Sequence, residues 1–352
     1  DILWRNSGSG KNQIWLMDND GTRSSIAYPG NNRDSDWTIE EVTDFNQDQV
    51  PDILWRNTNE NKNELWLMNS GGTRSSIAYP GKNPDSNWAI EVVTDFNQDQ
   101  IPDILWRNSG SGKNQIWLMD NDGTRSSIAY PGNNRDSDWT IEEVTDFNQD
   151  QVPDILWRNT NENKNELWLM NSGGTRSSIA YPGKNPDSNW AIEVVTDFNQ
   201  DQVPDILWRN STEGKNWIWL MDNDGTRSSI AYPGNNRDSD WTIEEVTDFN
   251  KDQVPDILWR NTNENKNELW LMNSGGTRSS IAYPGKNPDS NWAIEEVTDF
   301  NQDQIPDILW RNSTEGKNAI WLMDNDGTRD SIAYPGNSHS NWEVITDDFN
   351  LV

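Results

Sequence analysis

The chain has 352 residues, with 58 acidic and 28 basic side chains, and its formal net charge is −30. This charge repels phosphate backbones and anionic lipid headgroups, so we expect no nucleic-acid partner. The sequence has no long apolar run, and we expect no membrane insertion. Cysteine is absent, which excludes disulfides and thiolate metal sites. The chain begins at Asp1 without Met, which suggests a processed or trimmed N-terminus.

The segment Asp-Ile-Leu-Trp-Arg-Asn recurs every 51 residues along the chain. Repeats are nearly identical, since residues 1–102 and 103–204 differ only at Ile101 and Val203. A fixed period without an intervening linker predicts a single domain over residues 1–352. The seven copies of the segment begin at Asp1, Asp52, Asp103, Asp154, Asp205, Asp256 and Asp307.

Each repeat predicts four short β-strands separated by Gly, Pro, Asn and Asp clusters. In the first repeat these strands cover residues 2–5, 13–17, 23–28 and 37–43. Four strands in each of seven units predict an all-β fold, a seven-bladed β-propeller of antiparallel blades. An open β-solenoid would need capping units, and none is visible. We expect the last strand, near Trp342, to join the three N-terminal strands and close the ring.

An acidic loop follows each predicted innermost strand, as in Asp44-Phe45-Asn46-Gln47-Asp48-Gln49-Val50-Pro51-Asp52. Oxygen side chains stand at positions 1, 3, 5 and 9 of this loop, and position 7 can add a backbone carbonyl. This spacing suits Ca²⁺, whereas the absence of His and Cys argues against zinc. The alternative is that the Asp and Asn residues only form turns.

The pattern predicts about six calcium sites as cofactor sites. At the ring junction Asp348, Asn350 and Asp1 would form a broken seventh site, which we expect to be weak or empty. The predicted ligands of the six complete sites are Asp44, Asn46, Asp48, Val50, Asp52, Asp95, Asn97, Asp99, Ile101, Asp103, Asp146, Asn148, Asp150, Val152, Asp154, Asp197, Asn199, Asp201, Val203, Asp205, Asp248, Asn250, Asp252, Val254, Asp256, Asp299, Asn301, Asp303, Ile305 and Asp307.

The loop and the strand after it, Thr-Asp-Phe-Asn-x-Asp-x-x-Pro-Asp-Ile-Leu-Trp-Arg-Asn, resemble the FG-GAP or VCBS-type repeat over nearly the whole chain. The resemblance implies a propeller with calcium loops, as in integrin α-subunits and seven-bladed fungal lectins. It also implies roles in adhesion or glycan binding, although enzymes share the fold. The sequence departs from the family at Gln47 and Gln49, where the family has Gly, so residue 49 would adopt a strained positive φ.

The 22 tryptophans fall three to a repeat, with one extra at Trp217. Trp4 and Trp15 lie in mid-strand and are predicted core residues. Trp37 begins the innermost strand at the end opposite the acidic loop, near Arg5, Asn6 and Tyr28, and such a mixture of aromatic and polar groups is typical of sugar sites. Alternatively, Arg5 and Asn6 only satisfy loop carbonyls while Trp37 fills the blade junction.

The candidate ligand-binding residues are the equivalents of this set in every repeat. They are Arg5, Asn6, Tyr28, Trp37, Arg56, Asn57, Tyr79, Trp88, Arg107, Asn108, Tyr130, Trp139, Arg158, Asn159, Tyr181, Trp190, Arg209, Asn210, Tyr232, Trp241, Arg260, Asn261, Tyr283, Trp292, Arg311, Asn312, Tyr334 and Trp342.

The sequence therefore predicts a calcium-stabilised, multivalent lectin that binds glycans or glycoconjugates outside the cell or at its surface. The alternative is a protein-adhesion or structural propeller without sugar binding. A polysaccharide-degrading enzyme is a third reading, but His339 is the only histidine and no unique catalytic constellation stands out, so no catalytic residue is expected.

Overall fold

The computed structural model describes residues 1–82, 86–183, 186–234, 236–285 and 290–345. Its regular elements in these ranges are 28 β-strands, which form seven antiparallel sheets of four strands each. We call the sheets blades 1 to 7. The predicted all-β, seven-bladed propeller is confirmed.

Blade 1 combines the last strand with the first three, and the next three blades follow in chain order. Their strands are β28 (Glu343–Ile345), β1 (Ile2–Asn6), β2 (Lys11–Met17) and β3 (Arg23–Ala27) in blade 1; β4 (Trp37–Thr43), β5 (Asp52–Asn57), β6 (Lys62–Met68) and β7 (Arg74–Ala78) in blade 2; β8 (Ala89–Thr94), β9 (Asp103–Asn108), β10 (Lys113–Met119) and β11 (Arg125–Ala129) in blade 3; β12 (Trp139–Thr145), β13 (Asp154–Asn159), β14 (Lys164–Asn171) and β15 (Thr175–Ala180) in blade 4.

The remaining three blades have the same order. Their strands are β16 (Ala191–Thr196), β17 (Asp205–Asn210), β18 (Lys215–Met221) and β19 (Arg227–Ala231) in blade 5; β20 (Trp241–Thr247), β21 (Asp256–Asn261), β22 (Lys266–Asn273) and β23 (Thr277–Ala282) in blade 6; β24 (Trp292–Thr298), β25 (Asp307–Asn312), β26 (Lys317–Met323) and β27 (Arg329–Ala333) in blade 7.

The ring is closed by antiparallel pairing of β28 with β1, with Leu3 opposite Ile345 and Trp4 opposite Val344. The predicted joining of the C-terminal strand to the N-terminal three is therefore confirmed. This pairing covers the edge that β1 would otherwise expose.

The first strand of each blade lines the central axis of the ring. Residues of four such strands, among them Val42, Val93, Val246 and Val297, border one cavity of about 710 Å³. Glu41, Glu245 and Glu296 line the same cavity. The strand that begins at Trp37 is therefore the innermost strand, as predicted.

The repeated segment forms the second strand of each blade, which is covered on both faces. In β5 the neighbouring side chains Ile53, Leu54 and Trp55 are all 0% exposed. Because successive side chains of a strand point to opposite faces, this strand is apolar throughout instead of alternating. Each face packs against an adjacent blade, so that Leu3 of β1 and Trp55 of β5 share one core cluster.

Pairs of tryptophans form the centre of each blade. The rings of Trp55 and Trp66 lie 4.8 Å apart at an interplanar angle of 44°. The guanidinium of Arg5 from blade 1 lies 4.7 Å from the Trp55 ring, and that of Arg74 lies 4.5 Å from the Trp66 ring. Trp4 and Trp15 are 0% exposed, which confirms their prediction as core residues.

In the described residues no helix is long and apolar enough to cross a bilayer.

The turn between β9 and β10 offers a matched test of the backbone. Gly112 has φ +68°, and a Cβ there would lie 2.3 Å from the carbonyl oxygen of Arg135. The nearest atom to a Cβ on Gly110 would be Asn108 Oδ1, at 3.6 Å, which is an ordinary contact. We expect Gly112→Ala to destabilise the fold by about 1–3 kcal/mol. Gly110→Ala should leave the melting temperature nearly unchanged. Equal effects of the two changes in thermal unfolding would contradict this account.

Candidate functional site

The acidic loops are held by their own side chains. In the first loop, Asp44 Oδ1 accepts hydrogen bonds from the backbone N–H of Asn46 at 3.1 Å and of Asp48 at 3.2 Å. Its Oδ2 accepts from Gln49 N–H at 2.7 Å, and Asp48 Oδ1 accepts from Val50 N–H at 2.9 Å. These bonds satisfy the amides of a tight loop, which is the turn-forming role that Asp and Asn ordinarily have.

Two residues in each loop adopt the left-handed backbone conformation, and both are glutamines except in the loop that begins at Asp248, which has Lys251 and Gln253. Gln47 has φ +62° and Gln49 has φ +66°. The positive φ expected at position 6 is therefore present, at a cost of about 1 kcal/mol for a residue other than Gly. Gln47 also donates from Nε2 to the backbone carbonyl of Asp99 in the next loop, at 2.9 Å. This contact links neighbouring blades, a role that Gly could not perform.

The last Asp of each loop is fully buried. Asp52 is 0% exposed, and its two carboxylate oxygens accept hydrogen bonds from Met68 N–H at 2.8 Å and Phe45 N–H at 3.1 Å. Burial is the main cause that raises the pKa of this carboxyl to about 7; the charges of Asp48 and Asp44 act in the same direction, and the two amide hydrogen bonds oppose them. The first residue of the repeated segment thus joins the loop to β5 and β6 and experiences the negative charge of the loop.

The loop residues match calcium in the chemistry of their donors. Three carboxylates and one amide oxygen are hard ligands, and a divalent cation would relieve the repulsion around Asp52. In the residues that the structure describes, however, no three His, Cys, Asp or Glu side chains are gathered at a point that could hold a metal ion. The predicted six calcium sites remain a prediction, and Asp348 and Asn350 of the broken seventh site lie outside the described residues.

At the other end of the blade, the candidate arginines and asparagines are buried. Arg5 is 5% exposed; its Nη1 donates to Asn12 Oδ1 at 3.1 Å, and its Nη2 donates to the carbonyls of Asp34 and Trp37. Asn6 is 4% exposed and accepts a hydrogen bond from Ser9 N–H at 3.0 Å. Both residues therefore support loops, and Trp37, 9% exposed, packs in the junction between blades 1 and 2.

The tyrosines of the candidate set lie at the surface. Their exposed fractions run from 60% for Tyr232 to 67% for Tyr334. Each follows the outermost strand of its blade, as Tyr79 follows β7. The tyrosine rings are therefore the members of the predicted ligand set that a solute in water reaches directly.

Two of these tyrosines, Tyr181 and Tyr283, line clefts at equivalent places in blades 4 and 6. We name the first the Tyr181 cleft; its volume is about 400 Å³, and Lys164, Asn165, Glu166, Tyr181 and Gly183 are among its lining residues. A cleft of about 420 Å³ at the same place in blade 6 is lined by the corresponding residues. The predicted ligand set includes the tyrosines but not the Lys, Asn and Glu of the third strand, although Lys-Asn-Glu-Leu-Trp recurs in every second repeat.

An ion pair between blades forms part of the Tyr181 cleft. Arg135 comes from the loop between blades 3 and 4, and its Nε donates to Glu166 Oε2 at 3.1 Å. The same guanidinium lies 5.3 Å from the Trp139 ring and 5.1 Å from the Trp168 ring. The Glu166 carboxylate is thus fixed in position beside the exposed Tyr181 ring.

Three solved structures show which proteins share this fold. A lectin from Agrocybe aegerita that specifically recognises non-reducing terminal N-acetylglucosamine superposes with a TM-score of 0.79 at 14% identity, covering 100% of this chain and 95% of its own. Prolyl oligopeptidase B from Galerina marginata has a TM-score of 0.53 at 9% identity, over 98% of this chain and 53% of its own. Catalytically inactive virginiamycin B lyase from Staphylococcus aureus, with quinupristin, has a TM-score of 0.50 at 15% identity, over 85% of each chain. Binding proteins and enzymes both occur among them, so the fold alone does not decide the function.

No curated protein matches the chain in sequence. The family model of the FG-GAP-like repeat matches five overlapping segments, residues 44–106, 95–157, 146–208, 197–259 and 248–310. Each match begins at an acidic loop and ends at the tryptophan of the repeated segment in the following blade. The chain therefore belongs to the FG-GAP-like repeat family.

Proposed function

We propose that the protein is a multivalent carbohydrate-binding protein whose sites are the clefts beside the exposed tyrosines. The observation that supports this proposal most is the Tyr181 cleft, where an aromatic ring exposed by 61% lies beside an ammonium, an amide and a fixed carboxylate. The C–H groups of a sugar stack on such a ring, while its hydroxyls bond to planar polar groups.

The charge of the protein favours neutral sugars as ligands. With a formal net charge of −30, the surface repels sulfated and sialylated glycans. The Agrocybe aegerita lectin, which has the same fold, recognises terminal N-acetylglucosamine, a neutral sugar. We therefore choose N-acetylglucosamine as the first ligand to test.

The repetition of the proposed sites would compensate for the weak affinity of each one. A shallow cleft holds a single sugar weakly, with a Kd of about 1 mM. Several clefts on one rigid ring bind a glycan-coated surface far more tightly, because each later contact is intramolecular. This mode of action needs no catalytic residue, and it suits a protein that acts outside the cell or at its surface, where glycans are displayed.

We further propose that the six acidic loops bind Ca²⁺. The donor types and the repulsion around Asp52 support this proposal. The ion would stabilise the ring and leave the tyrosine clefts at the other end of the blades unaltered.

Changing all seven exposed tyrosines to alanine tests the sugar sites. We expect at least a tenfold loss of binding to a multivalent N-acetylglucosamine surface, since each cleft loses its stacking ring. The melting temperature should hold, because these side chains are at least 60% exposed. The changed residues are Tyr28, Tyr79, Tyr130, Tyr181, Tyr232, Tyr283 and Tyr334.

The matched control is a sevenfold Ser→Ala variant of Ser25 and its equivalents, which are exposed on the outermost strands away from the clefts. It should bind like the unchanged protein in surface plasmon resonance. If neither the unchanged protein nor the control binds any glycan on an array, the lectin proposal is wrong.

Calcium binding is tested by thermal unfolding in EDTA and in excess Ca²⁺. Each site filled at 100 times its Kd stabilises the folded state by about 2.7 kcal/mol, so the melting temperature should rise clearly with Ca²⁺. Changing Asp48 and its five equivalents to Ala should abolish the rise, whereas Asp36→Asn, Asp138→Asn and Asp240→Asn, which remove exposed charge elsewhere, should preserve it. Identical melting curves in EDTA and Ca²⁺ would show that the loops are only turns.

The buried Asp52 and its equivalents predict a pH dependence for the calcium-free protein. Their folded pKa of about 7 lies above the ordinary value of 3.8, so protonation stabilises the folded state. This contribution is complete below the ordinary pKa and is lost as the pH rises through about 7. In EDTA, the melting temperature should therefore fall between about pH 4 and pH 7.5.

Changing these six residues to Asn removes the titrating group and should flatten that part of the profile. A melting temperature of the unchanged protein that increases over the same pH interval would contradict the assignment.

A further inference from the structure

One blade carries a tryptophan where the others carry a smaller or charged side chain. Trp217 lies in β18 opposite Trp208. The equivalent position in the other six blades, opposite the tryptophan that recurs in every blade, holds Gln, Glu or Ala. These residues are Gln13, Glu64, Gln115, Glu166, Glu268 and Ala319.

Trp217 takes the place of an ion pair. In blade 4 the Glu166 carboxylate binds Arg135, whose guanidinium lies 5.3 Å from the Trp139 ring. The loop before blade 5 has Pro186 at the position of that arginine. Instead, the Trp217 ring stacks directly on Trp190, the equivalent of Trp139, with centroids 3.9 Å apart and planes at 30°.

The substitution changes the chemistry of the surface in blade 5 that corresponds to the Tyr181 cleft. Trp217 is partly exposed, and the ring of Tyr232, 60% exposed, meets it at an angle of 87° with centroids 6.5 Å apart. We call these two perpendicular rings the aromatic corner. At the same place in blade 4, Tyr181 lies beside the Glu166 carboxylate and not beside a second ring. Lys215 and Glu213 form a salt bridge in the adjacent turn, as Lys164 and Glu162 do in blade 4.

The aromatic corner is suited to bind a ligand that has an apolar ring face and hydroxyl groups at the edge of that ring. A pyranose with equatorial substituents presents only axial C–H groups on its faces, so it stacks on one ring while its edge contacts the other. Stacking on an indole also avoids the desolvation of a carboxylate, which the Glu-containing clefts require.

We propose that the clefts are not equivalent and that the aromatic corner of Trp217 and Tyr232 is the tightest subsite, selective for equatorially substituted pyranoses. This inference rests on the proposed sugar-binding function and assigns its principal site. One subsite dominates single-sugar binding, while the other clefts contribute on multivalent surfaces.

The test uses the full chain labelled with ¹⁵N and the indole N–H signals of its tryptophans. Trp217→Gln, which installs the residue of blades 1 and 3, identifies the Trp217 signal by its loss. Titration with methyl β-N-acetylglucosaminide should shift this signal with a Kd about tenfold lower than that of the other responding signals. Methyl β-galactoside, with its axial hydroxyl, should shift it less.

Calorimetry on two variants gives the reciprocal test. Trp217→Gln should lose the tight component and keep the weak ones, and Gln115→Trp should add a second tight site in blade 3. Thermal melting of both variants checks that they fold. If Trp217→Gln does not fold, the Gln115→Trp variant still tests the proposal on its own.

The outcomes separate the two proposals. If sugar binding is measurable but the Trp217 signal does not move, or Trp217→Gln binds as before, the subsite assignment is overturned and the lectin proposal stands. If no sugar binds to any variant, both are overturned.

Discussion

The ring depends on a buried guanidinium at every blade junction. The arginine of each repeated segment lies over the tryptophan of the next blade at 4.6–4.8 Å, from Arg5 over Trp55 to Arg311 over Trp4. The same arginine also donates a hydrogen bond to the backbone carbonyl of the tryptophan at the start of the next blade's innermost strand, as Arg5 does to Trp37. Burial lowers the pKa of Arg5, and the charge of Glu343 on the innermost strand opposes this effect. One arginine side chain thus joins two blades, because it contacts a ring face and a backbone carbonyl of the next blade. The contact of Arg311 in blade 7 with Trp4 in blade 1 joins the last blade to the first in the same way.

This interaction explains why the repeated segment recurs as a unit. In blade 2, Asp52 binds the amides of Phe45 and Met68, Trp55 receives the arginine of the preceding blade, and Arg56 reaches the next. Asn57 accepts a hydrogen bond from Glu60 N–H at 2.8 Å and so fixes the turn to the third strand. The polar and aromatic residues of the segment thus make contacts at the two ends of the blade, in its centre and across its junctions with both neighbours. A change at one of them would disturb two neighbouring blades.

Periodicity predicted the blades, the ring closure and the innermost strand, because these follow from alternation, turn residues and copy number. It placed Arg5 and Asn6 in a candidate ligand set, since in sequence they resemble exposed polar groups at a strand end. These residues are buried because the next blade packs against them. Arg5, for example, contacts Trp55, which is 50 residues further along the chain, so the sequence around Arg5 does not reveal the contact. Glu166 of the Tyr181 cleft was missed for a related reason: it is fixed by Arg135 of a loop that the strand pattern does not pair with it.

The two ends of a blade tolerate change to different degrees. At the acidic end the side chains bond to the amides of their own loop and to the next loop, so that Gln47 contacts Asp99 and Gln98 contacts Asp150. At the cleft end, the position opposite the conserved tryptophan holds Gln, Glu, Trp or Ala within the same backbone register. A carboxylate there requires the arginine of the preceding loop, whereas an indole requires only the neighbouring Trp190 ring. Because the buried arginines hold the ring, the side chain at this position can vary without altering the propeller, and this independence allows the copied blades to present different surfaces.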